Sequence, residues 1–179
     1  MNRKILQFSL NKFYPFIYSL VFILALMFVI DAIKKHGYHI TYSVTQSMPK
    51  GFYLIIPTSV IRKGDIVEFI PPEHTLVFIK EKRWVPQNGR IIKYVFGIPG
   101  DHVCVLGQTI WINHKKVAPI SKFYAKNKLL PQTKICGKLK QNQYLLLSTK
   151  NERSFDSRYF GAVDSSRILG RAVPIFCFD

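Results

Sequence analysis

Acidic residues are scarce in this sequence. Only 10 of its 179 residues are Asp or Glu, against 26 Lys and Arg, which gives a formal net charge of +16. This excess favours anionic partners such as nucleic acid, anionic lipid or acidic protein surfaces, without choosing among them. The length leaves room for one membrane segment and one domain of about 140 residues, and it excludes two catalytic domains.

Metal and nucleotide motifs are also missing. The five histidines show no HxxxH or HExxH spacing, and the three cysteines form no CxxC pair. No P-loop, dinucleotide fingerprint or GxSxG elbow is present. We therefore expect no metal and no cofactor. A Ser-His-Asp triad stays open, because the members of a triad can come from anywhere in a chain.

Cysteine is rare, and the three residues are Cys104, Cys136 and Cys177. In an oxidising compartment a Cys104–Cys136 disulfide is chemically permitted, and it would close a loop of about 30 residues, worth about 3 kcal/mol. The segment between these two cysteines is polar and weakly patterned, which favours the disulfide. The alternative is three buried thiols.

Charge is absent from one long stretch near the N-terminus. The 18 residues from Phe13 to Ile30 include no charged side chain, and such a run approaches the hydrocarbon thickness of about 30 Å. Arg3, Lys4 and Lys12 precede the run, which predicts a cytoplasmic N-terminus. A cleaved secretory signal is the rival interpretation, but no small-x-small site ends the run.

This pattern predicts a membrane anchor followed by one domain outside the cytoplasm. The expected parts are a cytoplasmic tail (1–12), a transmembrane helix (13–33), a connector (34–42) and a periplasmic domain (43–179).

Short β-type runs dominate the rest of the chain, and Gly or Pro separates nearly all of them. The predicted strands are 52–56, 65–70, 91–96, 102–106, 109–113, 144–148 and 171–176. One helix is expected to start near Glu73, after Pro71 and Pro72, and to close at Lys82 and Arg83. The fold class is therefore mainly β: a sandwich or barrel tethered by a single N-terminal helix.

Lysine is concentrated in one acid-free segment. From His102 to Asn151 the chain has nine lysines and no acidic residue. A solvated face or a flexible cap is the favoured interpretation, ahead of a dedicated binding groove, and no specific nucleic-acid partner is expected.

Two polar residues lie in unusual local contexts. "TQSMPKGFY" places Ser47 in a loop just before Met48 and Pro49, after the apolar segment and ahead of a strand. "RIIKYVFGIPGD" places Lys93 inside an apolar β-type run. If strand alternation directs Lys93 inward, burial lowers the pKa of its ammonium group towards the range of a general base. An exposed lysine on the outer face is the alternative.

Three motifs in order resemble the bacterial type I signal peptidases, which use a Ser/Lys dyad. They are "TQSMPKGFY", "IIKYVFGIPGD" and "SFDSRYFG", and they follow an N-terminal anchor. The compact SMPxGxY and GxPGD forms are most similar to the conjugative-transfer (TraF-type) branch. The resemblance extends over residues 41–176, and it implies the mainly β signal-peptidase domain described above.

The resemblance also implies roles for individual residues. Ser47 would attack the scissile carbonyl and Lys93 would accept its proton. Oxyanion stabilisation would come from the Ser47 amide and the Thr45 hydroxyl. Ser154 would orient the lysine. The remaining implied residues are a supporting ion pair, Asp156 and Arg158, and a substrate pocket formed by Met48 and Ile92.

Two features depart from the family pattern. Tyr94 follows the lysine, where arginine is common, and the GDNRxNSxDSR box is shortened to "NERSFDSR". The shortening favours the conjugative branch.

The expected function is removal of signal peptides from exported precursors, pilins or other conjugation proteins among them, at the surface of a lipid bilayer. One alternative is a housekeeping signal peptidase. Another is a non-catalytic cationic assembly factor of a secretion or conjugation apparatus.

Overall fold

A single long helix forms the first of two structural units. The computed structural model describes residues 3–86, 88–126, 128–148 and 150–178 and separates Met1–Tyr38 from His39–Asp179. Helix α1 covers Arg3–Lys35. Its stretch Phe13–Lys35 has a mean hydropathy of 2.6, and none of its most apolar window is buried. At about 1.5 Å per residue this stretch is long enough to cross a membrane.

The second unit is mainly β, as the sequence predicts. Its strands are β1 (His39–Ser43), β2 (Lys50–Ile56), β3 (Ile66–Phe69), β4 (Ile91–Gly97), β5 (His102–Leu106), β6 (Thr109–Ile112), β7 (Lys115–Pro119), β8 (Phe123–Ala125), β9 (Lys128–Leu129), β10 (Cys136–Lys138), β11 (Gln143–Leu147), β12 (Val163–Asp164) and β13 (Ile168–Phe178). Two helices accompany them, α2 (Glu73–Glu81) and α3 (Ser157–Phe160).

The strands form three antiparallel sheets. The largest has seven strands in the order β1-β2-β13-β3-β4-β11-β12, a second has the order β10-β5-β6-β7, and β8 pairs with β9. Strands β1 and β3 are separated by two strands in the large sheet, yet the hydroxyl of Thr41 on β1 donates a hydrogen bond to Glu68 on β3. The large sheet must therefore curl strongly, in the manner of a partial barrel.

Every predicted strand overlaps an observed one, but six short strands were missed. The missed elements include β1, because residues 34–42 were expected to form a connector. His39 and Thr41 are half-buried and Ser43 is buried, so alternate side chains of β1 face inward. The second half of the expected connector therefore belongs to the sheet, and this expectation was wrong there.

Helix α2 begins at Glu73, as predicted, and ends at Glu81. Lys82 and Arg83 follow the last turn instead of closing it, and Arg83 adopts a positive φ of 55°. A residue whose backbone adopts this left-handed conformation cannot continue a right-handed helix. The buried face of α2 includes Leu76 and Ile79.

The core lies on both faces of β11. Leu145 and Leu147 pack in one apolar cluster with Val103 and Ile110 of the second sheet. Leu146 packs on the opposite side, in a cluster with residues of β3 and β4. Because β11 is buried on both faces, its sequence is a continuous apolar run without alternation.

A disulfide joins Cys104 on β5 to Cys136 on β10, which face each other in the antiparallel pair. Cys177 is a free, exposed cysteine near the end of β13. The bridge links this three-residue strand covalently to β5, with which all three of its residues pair.

Candidate active site

Ser47 lies in the tight turn between β1 and β2 and is only 6% exposed. The hydroxyl of Tyr53 donates a 2.8 Å hydrogen bond to the carbonyl of Pro49, which ties the turn to β2. Gly51 closes the turn with φ 147°, and a Cβ there would collide with the backbone of Phe176. Glycine is therefore required at this position, where β13 approaches closely.

Lys93 lies in the middle of β4 with its side chain directed inward. It pairs with Val67 of β3 and is 5% exposed. Its Nζ donates a hydrogen bond to Oγ of Ser47 at 2.5 Å, and Oγ1 of Thr45 lies 2.9 Å from the same oxygen. The structure thus brings together the two residues that the motifs single out, which are 46 positions apart in the chain.

The environment of Lys93 favours its neutral form. Burial lowers the pKa of Lys93 from 10.5 to about 8. The negative charge of Asp156 raises this pKa and the positive charge of Arg158 lowers it, so the two effects oppose each other. A substantial fraction of the lysine is therefore an uncharged amine just above neutral pH.

Asp156 and Arg158 form a fully buried, two-pronged ion pair. Nε and Nη2 of Arg158 each donate a 2.8 Å hydrogen bond to a different oxygen of Asp156. The guanidinium also donates to five backbone carbonyls, those of Pro119, Ser148, Asn151, Glu152 and Ser154. The pair thereby fixes the backbone that follows β11, and its partners satisfy the buried charge.

Ser148, which the sequence analysis missed, connects this ion pair to Ser47. Its amide donates to Asp156 at 3.0 Å, and its carbonyl accepts from Arg158 at 3.1 Å. Its hydroxyl donates to the backbone carbonyl of Ser47. The only signal in the sequence was a serine directly after the buried run of β11.

The other predicted site residues lie either in the cavity wall or in the core next to it. Ser154 is buried beside the cavity, but its hydroxyl has no hydrogen-bond partner within the described part of the chain, and the orienting role stays a prediction. Ile92 lines the cavity. Met48 is absent from the lining and packs in the core with Ile92 and Tyr53. The substrate-pocket role of Met48 stays a prediction.

A cavity of about 280 Å³ opens above Ser47 and Lys93. β1 and its following turn form one side, and the start of β4 forms another. Apolar side chains from α2 and the loops complete the wall, namely Ile79, Trp84, Val85, Pro86 and Phe155. The cavity is a concave, largely apolar site with a few polar groups, which is the usual character of a ligand site.

A buried polar cluster lies behind one part of this wall. Glu68 is 0% exposed and accepts a 2.5 Å hydrogen bond from the hydroxyl of Thr41. Nε2 of His39 lies 2.6 Å from a carboxylate oxygen of Glu68. Nη1 of Arg90 lies 2.9 Å from Nε2 of His39 and 3.9 Å from Glu68. Sequence reasoning missed this cluster because its members come from three separate segments.

Across the described ranges, no group of three or more His, Cys, Asp or Glu side chains could hold a metal ion. The chemistry that these residues can perform is nucleophilic attack by a serine hydroxyl whose proton is accepted by a neutral amine.

Known proteins share this sequence pattern. The chain is 28% identical to the conjugal transfer protein TraF of Agrobacterium fabrum over 80% of this chain and 84% of that protein. It is 33% identical to signal peptidase I of Leptolyngbya laminosa over 64% of this chain. That match spans 52% of the relative, so the chain covers about half the length of this signal peptidase I.

A signal peptidase I from Enterococcus faecalis, solved by crystallography, covers 64% of this chain and 98% of its own, with 23% identity and a TM-score of 0.39. The family model for signal peptidase, peptidase S26, matches residues 14–177. Since this match spans nearly the whole sequence, the chain belongs to the peptidase S26 family of signal peptidases.

Proposed function

We propose that this chain is a membrane-anchored serine endopeptidase that cleaves N-terminal signal peptides from exported precursors. Ser47 is the nucleophile and Lys93 the general base. The observation that supports this most strongly is the 2.5 Å contact between Nζ of Lys93 and Oγ of Ser47, inside a buried site that borders a cavity.

The reaction proceeds in two steps. The neutral amine of Lys93 accepts the hydroxyl proton as Ser47 attacks the scissile carbonyl, and the resulting ammonium returns that proton to the leaving amine. A water molecule, deprotonated by the same amine, then hydrolyses the acyl-enzyme and releases the Ser47 hydroxyl. Lysine can serve as the base here because burial has removed most of the difference between its pKa and neutral pH.

Charge on the substrate oxygen is stabilised by the amide of Ser47 and the hydroxyl of Thr45. The Thr45 hydroxyl already lies 2.9 Å from the nucleophilic oxygen, so a small rotation directs it to an oxyanion formed beside that atom. Ser154 orients Lys93: it lines the same cavity, and its buried hydroxyl has no hydrogen-bond partner among the described residues.

The anchor is α1, with residues 1–12 in the cytoplasm and 13–33 in the inner membrane. The connector starts at residue 34, and the peptidase domain lies in the periplasm. Support comes from the apolar stretch Phe13–Lys35 and from the basic residues that precede it. Anchoring confines enzyme and precursor to one surface, which raises their effective concentration.

The substrate class proposed is a pilin or another conjugative-transfer protein. The relative named as a conjugal transfer protein is matched over 84% of its length, which supports this branch. A housekeeping signal peptidase is the second candidate, supported by the 33% identity to signal peptidase I of Leptolyngbya laminosa. A dedicated enzyme should process few exported precursors, and a housekeeping enzyme many.

Two alanine variants test the dyad. We expect Ser47→Ala and Lys93→Ala each to reduce precursor cleavage by about 10⁴-fold or more, because nucleophile and base act as one unit. The measurement is the rate of cleavage of a purified precursor in detergent micelles, and circular dichroism checks that each variant is folded.

Matched controls are Ser165→Ala and Lys115→Ala, which change exposed residues outside the cavity and should cleave normally. Substantial cleavage by either dyad variant would refute the mechanism. If the chain were instead a non-catalytic assembly factor, both dyad variants would retain its biological activity.

A further inference from the structure

The cavity wall has positive charge and no negative charge. Among the described residues that line the cavity, Arg90 and Lys93 are the charged ones, and no Asp or Glu is included. Lys93 must be neutral to act as the base, whereas an arginine remains protonated at every working pH. Arg90 is therefore the permanent charge at this wall.

Arg90 is held in place but remains accessible. Nη1 of Arg90 contacts both His39 and Glu68. The side chain is nevertheless 38% exposed. Glu68 itself is buried and is not among the lining residues, so Arg90 is the member of this pair that a ligand in the cavity can reach. A guanidinium presents five donors in a rigid fork, and its outer edge fits a carboxylate.

We propose that Arg90 forms a subsite for an acidic side chain of the peptide substrate, positioned by the buried Glu68 and by His39. This inference rests on the proposed function, since it assigns the site to a peptide that reaches Ser47. The guanidinium of Arg90 needs little reorganisation when the ligand binds, because its contacts with His39 and Glu68 already orient it.

The distance along the chain places this subsite relative to the cut. Arg90 lies three residues before Lys93, and an extended backbone rises about 3.3 Å per residue, so the two positions are about 10 Å apart. A substrate bound in extended form beside β4 has a similar rise. The recognised acidic residue should therefore lie two to four positions from the scissile bond.

Binding to an inactive enzyme tests the subsite without requiring catalysis. The full-length Ser47→Ala protein in detergent micelles is titrated with fluorescent peptides that carry Glu, Gln or Leu at single positions, up to four residues on either side of a cleavage site. We expect one position at which Glu binds about 10-fold more tightly than Gln, and a smaller preference at high salt.

Substitution of Arg90 then identifies the residue responsible. In the Ser47→Ala background, Arg90→Gln should abolish the preference for Glu, and Arg90→Lys should keep part of it. The matched control is Arg62→Gln, which removes one exposed positive charge outside the cavity and should leave the preference unchanged.

Equal affinities for Glu and Gln at every position would overturn the inference, and so would a preference that survives Arg90→Gln. Should Arg90→Gln not fold, the Glu/Gln comparison and its salt dependence in the parent protein still decide. Precursor cleavage by the unsubstituted chain reports on the proposed function separately: cleavage without an acidic preference rejects the subsite alone, and binding preference without cleavage rejects the peptidase alone.

Discussion

Lys93 shows how one side chain can be an acid or a base according to its surroundings. In water its amine would be almost fully protonated at neutral pH. In the structure it is surrounded by β3, β4 and the Ser47 turn, with the Asp156–Arg158 pair close enough to exert opposing effects. Since burial is the largest cause of the lowered pKa, the proposed role of Lys93 as a base depends on keeping water out of the site.

The pH dependence of cleavage should report this pKa directly. Only the neutral amine can accept the serine proton, so kcat/KM should rise about tenfold per pH unit below pH 8 and level off above it. The measurement is kcat/KM for a peptide substrate from pH 5.5 to 10. A profile that is flat across pH 7–9, or one that falls as pH rises from 6 to 8, would contradict lysine as the base.

At the residue scale, the sequence was informative where a side chain suited to catalysis lies inside a recognisable motif. Ser47 and Lys93 were singled out by three motifs in the expected order, because a loop serine or a strand lysine alone also fits a structural role. Glu68, His39 and Arg90 could not be found, because their contacts are made across a curled sheet and depend on strand order. Met48 was assigned to the pocket by resemblance alone; in the structure it is buried and packs against Tyr53 and Ile92.

At the element scale, β11 and the loop after it support the turn that holds Ser47. β11 is anchored by apolar packing on both faces, and Ser148 follows it directly. The ion pair of Asp156 and Arg158 then holds both backbone groups of Ser148. The position of the Ser47 carbonyl therefore depends on Ser148, 101 residues further along the chain, and on the core packing of the strand before it.

Removing the Ser148 hydroxyl should make the backbone at Ser47 more mobile without affecting substrate binding. We expect Ser148→Ala to lower kcat by about 10- to 100-fold with little change in KM, and to lower the free energy of unfolding by about 1–3 kcal/mol, since the buried Ser47 carbonyl loses its donor. The measurements are steady-state kinetics and urea denaturation.

Conservative replacement provides the control for this prediction. Ser148→Thr keeps a hydroxyl in the same place and should recover most of the lost kcat. The matched variant Ser165→Ala removes an exposed hydroxyl and should change neither quantity. A raised KM with normal kcat in Ser148→Ala would show that the hydroxyl acts on substrate binding instead.

Apolar strands of four or more residues could be predicted, whereas strands that are rich in polar residues or only two or three residues long could not. The runs that became β2, β4 and β11 are bounded by turn residues and rich in β-forming side chains. β1 was hidden because its sequence, HITYS, is half polar and follows a helix that ends in lysines. Its inward side chains face a polar site and not an apolar core, so a hydrophobic pattern could not reveal it.

At the scale of the whole molecule, the chain consists of an apolar helix and a cationic domain. The net charge of +16 is concentrated outside the apolar stretch, and much of it lies in the acid-free segment between His102 and Asn151. A positive domain near an anionic membrane surface gains electrostatic attraction that weakens with salt.

The free thiol of Cys177 allows the orientation of the protein to be measured without adding a tag. Cys104 and Cys136 are joined in the structure, whereas Cys177 is exposed. If the domain lies outside the cytoplasm, a membrane-impermeant maleimide should label one thiol per chain in intact spheroplasts, and permeabilisation should add no label. Labelling that appears only after permeabilisation would place the domain inside and contradict the orientation set by the basic N-terminal residues. Cys177→Ser is the matched control and should remain unlabelled. Three labelled thiols without reductant would exclude the Cys104–Cys136 disulfide. Such a disulfide could not persist in a reducing compartment.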